Sequence, residues 1–175
     1  MQRLTLEMFN ELLANSTIKP RLKKELRFVT STEHLSDEDW DESELIAVTD
    51  RSANKGVLVA GIDEGFFLIP YEIKVGITSS STGRSQSIIC DFCQTWQYGN
   101  RSGSISFQKD RTTTVSYLCC ADLQCSQHVR NKTEAARTSR AQLREDLTID
   151  QRINRLKSRM MQIIETLPVK AITNL

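Results

Sequence analysis

Long hydrophobic runs are missing from this sequence. No apolar stretch approaches the ~20 residues that a membrane-spanning helix requires. Residues 1–10 also lack the apolar segment of a secretory signal. We therefore expect a cytoplasmic chain without a membrane partner. Because thiols stay reduced in that compartment, a disulfide framework is not favoured.

An excess of either charge is missing as well. The 23 Lys and Arg residues nearly balance the 22 Asp and Glu residues, and the net charge is +1. Global charge therefore predicts no DNA partner. No glycine-rich run ends in Lys-Ser or Lys-Thr, as a phosphate loop requires. The acidic residues between positions 37 and 44 have no nucleophile or histidine placed beside them by the sequence. We expect a protein that is not an enzyme.

All five cysteines of the chain fall between positions 90 and 125. Cys90 and Cys93 form a C-x2-C pair, in which a tight turn can aim both sulfurs at one point. Cys125 pairs with Cys119 or Cys120, where a strand passes into the first turn of a helix. Four thiolates complete the tetrahedral shell of Zn²⁺. The spacing therefore predicts one structural zinc in a treble-clef finger.

The same cysteines admit other interpretations, and the third ligand stays open. A redox C-x-x-C would need a flanking βαβ unit, which this region lacks. Buried cysteines that act only as small hydrophobes would not be clustered in this way. Neighbours on a strand point to opposite faces, so only one of Cys119 and Cys120 is expected to reach the metal. His128, three residues after Cys125, could replace a sulfur.

The N-terminal segment of the chain reads as helical. Thr5 can cap a first helix, and Pro20 suits the first turn of a second helix that includes Val29. These patterns predict an N-terminal helical segment over residues 1–32. Trp40 lies in an acidic stretch, and we expect it to be a buried anchor.

The remainder of the chain combines strands with helices. Apolar, β-branched runs at 56–62 and 66–74 predict a hairpin, and residues 76–87 predict a linker-like loop. A capping box at Thr148 opens a last amphipathic helix. We predict an α+β fold, in which a zinc-binding domain over residues 33–175 has an antiparallel sheet and C-terminal helices.

The order of C-x2-C pair, hairpin and ligand-bearing helix resembles the C-terminal treble-clef domain of the FusB family. The likeness covers about positions 40 to 135. Aligned without gaps, it implies that Cys119 rather than Cys120 is the third zinc ligand. Ile89 stands where the family often has an aromatic residue. The residues that carry the resemblance are Ile89, Cys90, Cys93, Tyr117, Leu118, Cys119 and Cys125.

Members of the FusB family bind elongation factor G and confer resistance to fusidic acid. The resemblance therefore implies a zinc-binding, non-catalytic factor that binds elongation factor G and promotes its release from the ribosome. Aromatic residues dominate binding hot spots, and basic residues steer association with an acidic partner. The candidate partner-binding residues are Trp96, Arg101, Lys109, Arg111, Tyr117 and Arg130.

Two other functions are compatible with the residues. Residues 80–175 carry 14 basic and 8 acidic side chains, a local charge of +6 that would suit a ribosome- or RNA-binding zinc finger. A cysteine outside the ligand set, Cys120 in this alignment, would suit a thiol-based zinc redox sensor.

Overall fold

An antiparallel sheet of five strands, in the order β1-β2-β3-β6-β7, forms the centre of the fold. A second sheet pairs β4 with β5. The structure, a computed structural model, describes residues 1–62, 65–143 and 145–172. The strands are β1 Leu45–Thr49, β2 Lys55–Ile62, β3 Gly65–Val75, β4 Ser87–Ile89, β5 Trp96–Tyr98, β6 Ser102–Gln108 and β7 Thr114–Cys120.

Helices cover both faces of the large sheet, and the predicted α+β class is confirmed. Among the described residues, none of these helices combines the length and apolar character needed to cross a membrane. The helices are α1 Leu6–Ala14, α2 Pro20–Glu25, α3 Phe28–Thr32, α4 Asp37–Asp41, α5 Cys125–Val129, α6 Glu134–Leu143 and α7 Ile149–Glu165.

The sheet separates two hydrophobic cores. Because side chains alternate along a strand, β2 turns Val57 and Val59 to one face and Leu58 and Ala60 to the other. Val57 and Val59 pack with residues of α1, α3 and α4. Leu58 and Ala60 pack with residues of α7 and with the cysteines. The N-terminal helices therefore form one layer of the fold and α7 another.

The N-terminal layer confirms most of the predicted helix signals. The Thr5 hydroxyl accepts a hydrogen bond from the Met8 N–H at the start of α1, and Trp40 is buried. The helix that begins at Pro20 is shorter than predicted, because Leu26 is extended (φ −66°, ψ 138°). The Arg27 N–H then donates to the carbonyl of Thr49 in β1. A contact with the sheet thus ends α2.

Helix α7 closes the opposite face. Thr148 and Gln151 form the predicted capping box, and the helix ends before Pro168. Its buried side chains recur every three or four residues, which places them on one face. They are Arg152, Leu156, Met160, Ile163 and Ile164.

The five-residue helix α5 joins these layers. The Ser126 hydroxyl accepts hydrogen bonds from the backbone N–H groups of Glu44 and Leu45, at 3.0 and 3.3 Å. Arg152 of α7 donates to the carbonyl at the end of α5, that of Val129, at 3.2 Å. Cys125, the first residue of α5, faces the other cysteines. The position of this helix therefore depends on the start of β1, α7 and the cysteine cluster together.

Candidate metal centre

The short hairpin of β4 and β5 presents the C-x2-C pair. Cys90 follows β4, and its N–H donates to the carbonyl of Thr95 at 3.0 Å. The N–H of Gln94 donates back to the carbonyl of Cys90 at 2.9 Å. Gln94 has a positive φ of 57°, which reverses the chain sharply. This turn places the thiols of Cys90 and Cys93 on the same inner side, where both are buried.

The second pair of sulfurs comes from Cys120, the last residue of β7, and Cys125. All four sulfurs lie within 4.8 Å of one another. Cys90 Sγ is 3.8 Å from Cys125 Sγ, and Cys93 Sγ is 3.5 Å from Cys120 Sγ. These separations are far too long for disulfides. They match the edge of about 3.8 Å in a tetrahedron with Zn–S bonds of about 2.3 Å.

The choice of Cys119 over Cys120 as the third ligand is corrected by this geometry. The two residues are neighbours on β7, so their side chains leave opposite faces of the strand. Cys119 faces Gly103 of β6, where a Cβ would lie only 3.2 Å from the Cys119 sulfur. Burial raises the pKa of the Cys119 thiol above its usual range. Cys119 is therefore a core residue beside the metal centre, and the cluster takes Cys120 instead.

Polar side chains surround the Cys120 sulfur. His128 Nδ1 and Gln97 Nε2 each lie 3.2 Å from Cys120 Sγ. On the other side of the ring, His128 Nε2 is 3.4 Å from Asp122 Oδ2. Burial lowers the pKa of His128, but contacts with Asp122 and the Cys93 thiol raise it more, to about 9. His128 therefore lies beside the sulfur cluster, and the four thiols form a complete ligand set without it.

A family model described as the FBP C-terminal treble-clef zinc-finger matches residues 16–167 of the chain. The chain belongs to this family. The prediction of a FusB-type treble clef with one structural zinc is confirmed. No curated protein and no solved structure matches the sequence.

The donor set of this FusB-type finger fits zinc and gives it a structural role. Borderline-soft Zn²⁺ is commonly held by four thiolates in closed tetrahedral sites, and here four buried thiols converge. Cys90, Cys93, Cys120 and Cys125 would hold the ion. Four protein ligands leave no coordination position for a water molecule, which a catalytic zinc site requires.

The residues predicted to contact a partner are not gathered in one place. Trp96 and Arg101 lie near the zinc end of the fold, in β5 and in the 3-10 turn Gly99–Arg101. Lys109 and Arg111 lie at the tip of the β6–β7 hairpin. The tip is six residue pairs from Cys120, a distance of roughly 20 Å along the strands. The two groups therefore lie apart in the fold, and their role in partner binding stays a prediction.

The two other predicted contacts are engaged within the protein. The Arg130 guanidinium makes two hydrogen bonds to the carboxylate of Glu44, at 2.6 and 2.9 Å, and both side chains are largely buried. The Tyr117 ring packs against Phe92 and Phe107. The guanidinium of Arg159 lies 5.5 Å from the centre of the Tyr117 ring. Both side chains therefore have partners within the fold, and their predicted contact with a partner protein stays a prediction.

Sequence reasoning missed one exposed residue on β5. Tyr98 is half exposed, and its ring stacks on that of Trp96 with centroids 6.2 Å apart and planes within 8°. The spacing Trp-x-Tyr is the signal that was available, because residues two apart on a strand share a face. Gln97 between them is buried and faces the metal centre.

Proposed function

We propose that this protein binds elongation factor G through its zinc finger and promotes release of the factor from the ribosome. Membership of the FusB-type finger family supports this proposal, since the match covers residues 16–167. The observation that carries the choice of surface is an aromatic patch on the β4–β5 hairpin. We call Ile89, Trp96, Tyr98 and Arg101 the knuckle patch.

The knuckle patch has the character of a binding surface. Ile89 pairs with Trp96 across the hairpin, and Trp96 stacks on Tyr98. Ile89 and Tyr98 are 44% and 50% exposed, although isoleucine is usually buried. Arg101 follows at the exposed end of the 3-10 turn. Aromatic side chains rimmed by a cation are typical of interface hot spots.

Metal binding gives the patch a rigid base. The hairpin that carries Trp96 also carries two zinc ligands, so its conformation is fixed before a partner arrives. A preformed surface loses less conformational entropy on binding than a flexible one. A binder that stabilises a conformation of elongation factor G disfavoured on the ribosome shifts the population of the factor toward the free state. No catalytic step is required, and the action is cytoplasmic.

Calorimetry with purified elongation factor G and the zinc-loaded, full-length chain tests the proposal. We expect Trp96→Ala and Tyr98→Ala each to weaken binding by more than about 1 kcal/mol, or roughly fivefold, as hot-spot aromatics do. Val29→Ala is the matched control, because Val29 is 53% exposed but belongs to α3 in the N-terminal layer. Each variant is first checked for one zinc per chain.

Several outcomes would overturn the proposal. If both aromatic variants bind with wild-type affinity, the knuckle patch is not the binding surface. If only Lys109→Ala and Arg111→Ala lose affinity, the interface lies at the tip of the β6–β7 hairpin. Absence of binding by the zinc-loaded wild type would reject elongation factor G as partner. Strongly salt-dependent binding to ribosomal RNA in the same titrations would then favour the RNA-binding alternative.

Release of a drug-stalled factor would also protect the cell, so fusidic acid tolerance belongs to the proposal. It is measured as the inhibitory concentration of the drug in cells that express the wild type or Tyr98→Ala.

The redox-sensor alternative loses support from the structure. The cysteine outside the cluster is Cys119, which is fully buried and has a raised pKa, whereas sensor thiols are exposed and acidic.

A further inference from the structure

Two hydrogen-bond donors at the metal centre lie closest to one sulfur, that of Cys120, and His128 Nδ1 also lies 3.9 Å from Cys93 Sγ. Gln97 Nε2 approaches Cys120 Sγ from β5, and His128 Nδ1 approaches it from α5, each at 3.2 Å. Both side chains are buried, with 1% and 0% exposure. We propose that Gln97 and His128 are positioning residues that hold the Cys120 thiolate in the zinc site and slow the loss of the metal.

The charge of the centre explains why such donors are needed. Four thiolates around one Zn²⁺ leave a net charge of −2 in a buried site, and buried charge is costly unless hydrogen bonds compensate it. An N–H group that donates to an anionic acceptor makes a stronger bond than one between neutral groups. It also withdraws electron density from the sulfur, so the thiolate becomes a weaker nucleophile. Cys120, whose sulfur accepts two hydrogen bonds, should therefore be the ligand that reacts most slowly with electrophiles.

The two donors are themselves held in place. The backbone of Gln97 pairs with Ile88 in the β4–β5 hairpin. The His128 ring lies between the Cys120 sulfur and the Asp122 carboxylate, 3.4 Å from Nε2. Asp122 is oriented by the Gln124 N–H, which donates to its Oδ1 at 3.1 Å. A carboxylate behind a histidine is a common way to orient a ring at a metal site. Here the ring contacts a ligand and not the ion.

The test uses the full-length, zinc-loaded protein and two measurements. The first is the rate of zinc transfer to a chromogenic chelator. The second is alkylation by iodoacetamide, with the modified cysteine identified by peptide mass spectrometry. Removal of outer hydrogen-bond partners typically lowers metal affinity ~10–100-fold. We expect Gln97→Leu and His128→Leu each to accelerate zinc transfer within that range, and Cys120 to become the first cysteine alkylated.

Two further variants separate positioning from general stability. His128→Asn keeps an N–H near the place of Nδ1 and is expected to restore slow zinc transfer and protection of Cys120. Gln127→Leu is the matched control, since it removes an amide from α5 that donates to Asp39 Oδ1 at 3.0 Å and touches no sulfur. We expect Gln127→Leu to behave as the wild type in both measurements.

The proposal fails if Gln97→Leu and His128→Leu retain zinc as firmly as the wild type. It also fails if all four ligands become alkylated together and in step with a lower unfolding midpoint, because that pattern shows only a general loss of stability. If His128→Leu does not fold, Gln97→Leu and His128→Asn still test the proposal. Fast alkylation of Cys120 in Gln97→Leu supports the proposal, and unchanged alkylation overturns it.

Discussion

At the scale of single residues, the assignment of zinc ligands depends on two adjacent cysteines. We predict that Cys120→Ala loses the metal and that Cys119→Ala retains it, because only the Cys120 sulfur faces the other three. Elemental analysis of protein purified without chelator measures the change, from one zinc per chain to almost none. Structural zinc contributes ~10–16 kcal/mol of apparent binding energy in small fingers. Cys120→Ala should therefore also unfold the β4–β5 hairpin.

The two variants control for each other, since both remove one buried thiol from the same strand. Retention of zinc by Cys120→Ala together with its loss from Cys119→Ala would restore the ligand set implied by the gapless alignment. Equal retention in both would show that His128 or the neighbouring cysteine completes the shell.

Residue spacing alone could predict the metal but not this ligand. Each of the two cysteine pairs is a local sequence pattern, and together they correctly predicted a zinc site. The choice between Cys119 and Cys120 depends on which face of β7 lies toward the β4–β5 hairpin. That face is set by the register of Ser102 with Cys120 across β6 and β7, which the sequence does not encode locally. The contacts of Arg130 were equally out of reach, because Glu44 lies 86 residues away.

At the scale of elements, the end of α5 is attached to the residue before β1 by the buried pair of Arg130 and Glu44. We predict that Arg130→Met lowers the free energy of unfolding by ~3–5 kcal/mol, because the change leaves the Glu44 carboxylate buried without its partner. The double variant Arg130→Met with Glu44→Met should recover most of the loss, since two apolar side chains fill the site without a buried charge. Urea unfolding of the zinc-loaded proteins measures both.

The more exposed ion pairs of Lys132 with Glu38 and Glu42 supply the comparison. Lys132 bonds Glu38 and Glu42, but its side chain is 36% exposed, so Lys132→Met should cost no more than about 1 kcal/mol. A loss in Arg130→Met as small as that in Lys132→Met would show that α5 is anchored by its other contacts.

Helices and strands with strong local signals were predictable, and their ends were not. The capping box at Thr148 and the amphipathic face of α7 are present as expected. The helix from Pro20 was predicted too long because a tertiary hydrogen bond from Arg27 to β1 competes with helix propagation. The turn at Asp63 and Glu64 lies outside the described residues. Local patterns therefore predicted which elements exist, and long-range contacts decided where they stop.

At the scale of the whole molecule, the predicted boundary between residues 1–32 and 33–175 stays a prediction. Phe9, Leu12 and Phe28 are buried in the same core as Val48 and Val57 of the sheet. We predict that a chain lacking residues 1–32 exposes this face of the sheet and aggregates, because large exposed apolar patches promote association. Size-exclusion chromatography and zinc content of the truncated protein measure the outcome.

Full-length protein with Leu12→Ala is the milder comparison, since it opens a cavity in the same core and should cost ~2–5 kcal/mol without exposing the sheet. A truncated chain that stays monomeric, keeps its zinc and unfolds cooperatively would establish residues 33–175 as an independent domain.

The segments that meet at α5 are far apart in the sequence, and this separation affects how the chain folds during synthesis. Strands β1, β2 and β3 come from residues 45–75 and can pair early during synthesis, because domains form from the N-terminus as the chain emerges. Ser126 meets Glu44 across 82 residues, so this contact closes a long loop and carries its entropic cost. The fourth sulfur, Cys125, leaves the ribosome only after the sheet has begun to form. The four-sulfur site therefore cannot be complete until Cys125 has been synthesised, and helix α7, which covers the same core, follows later still.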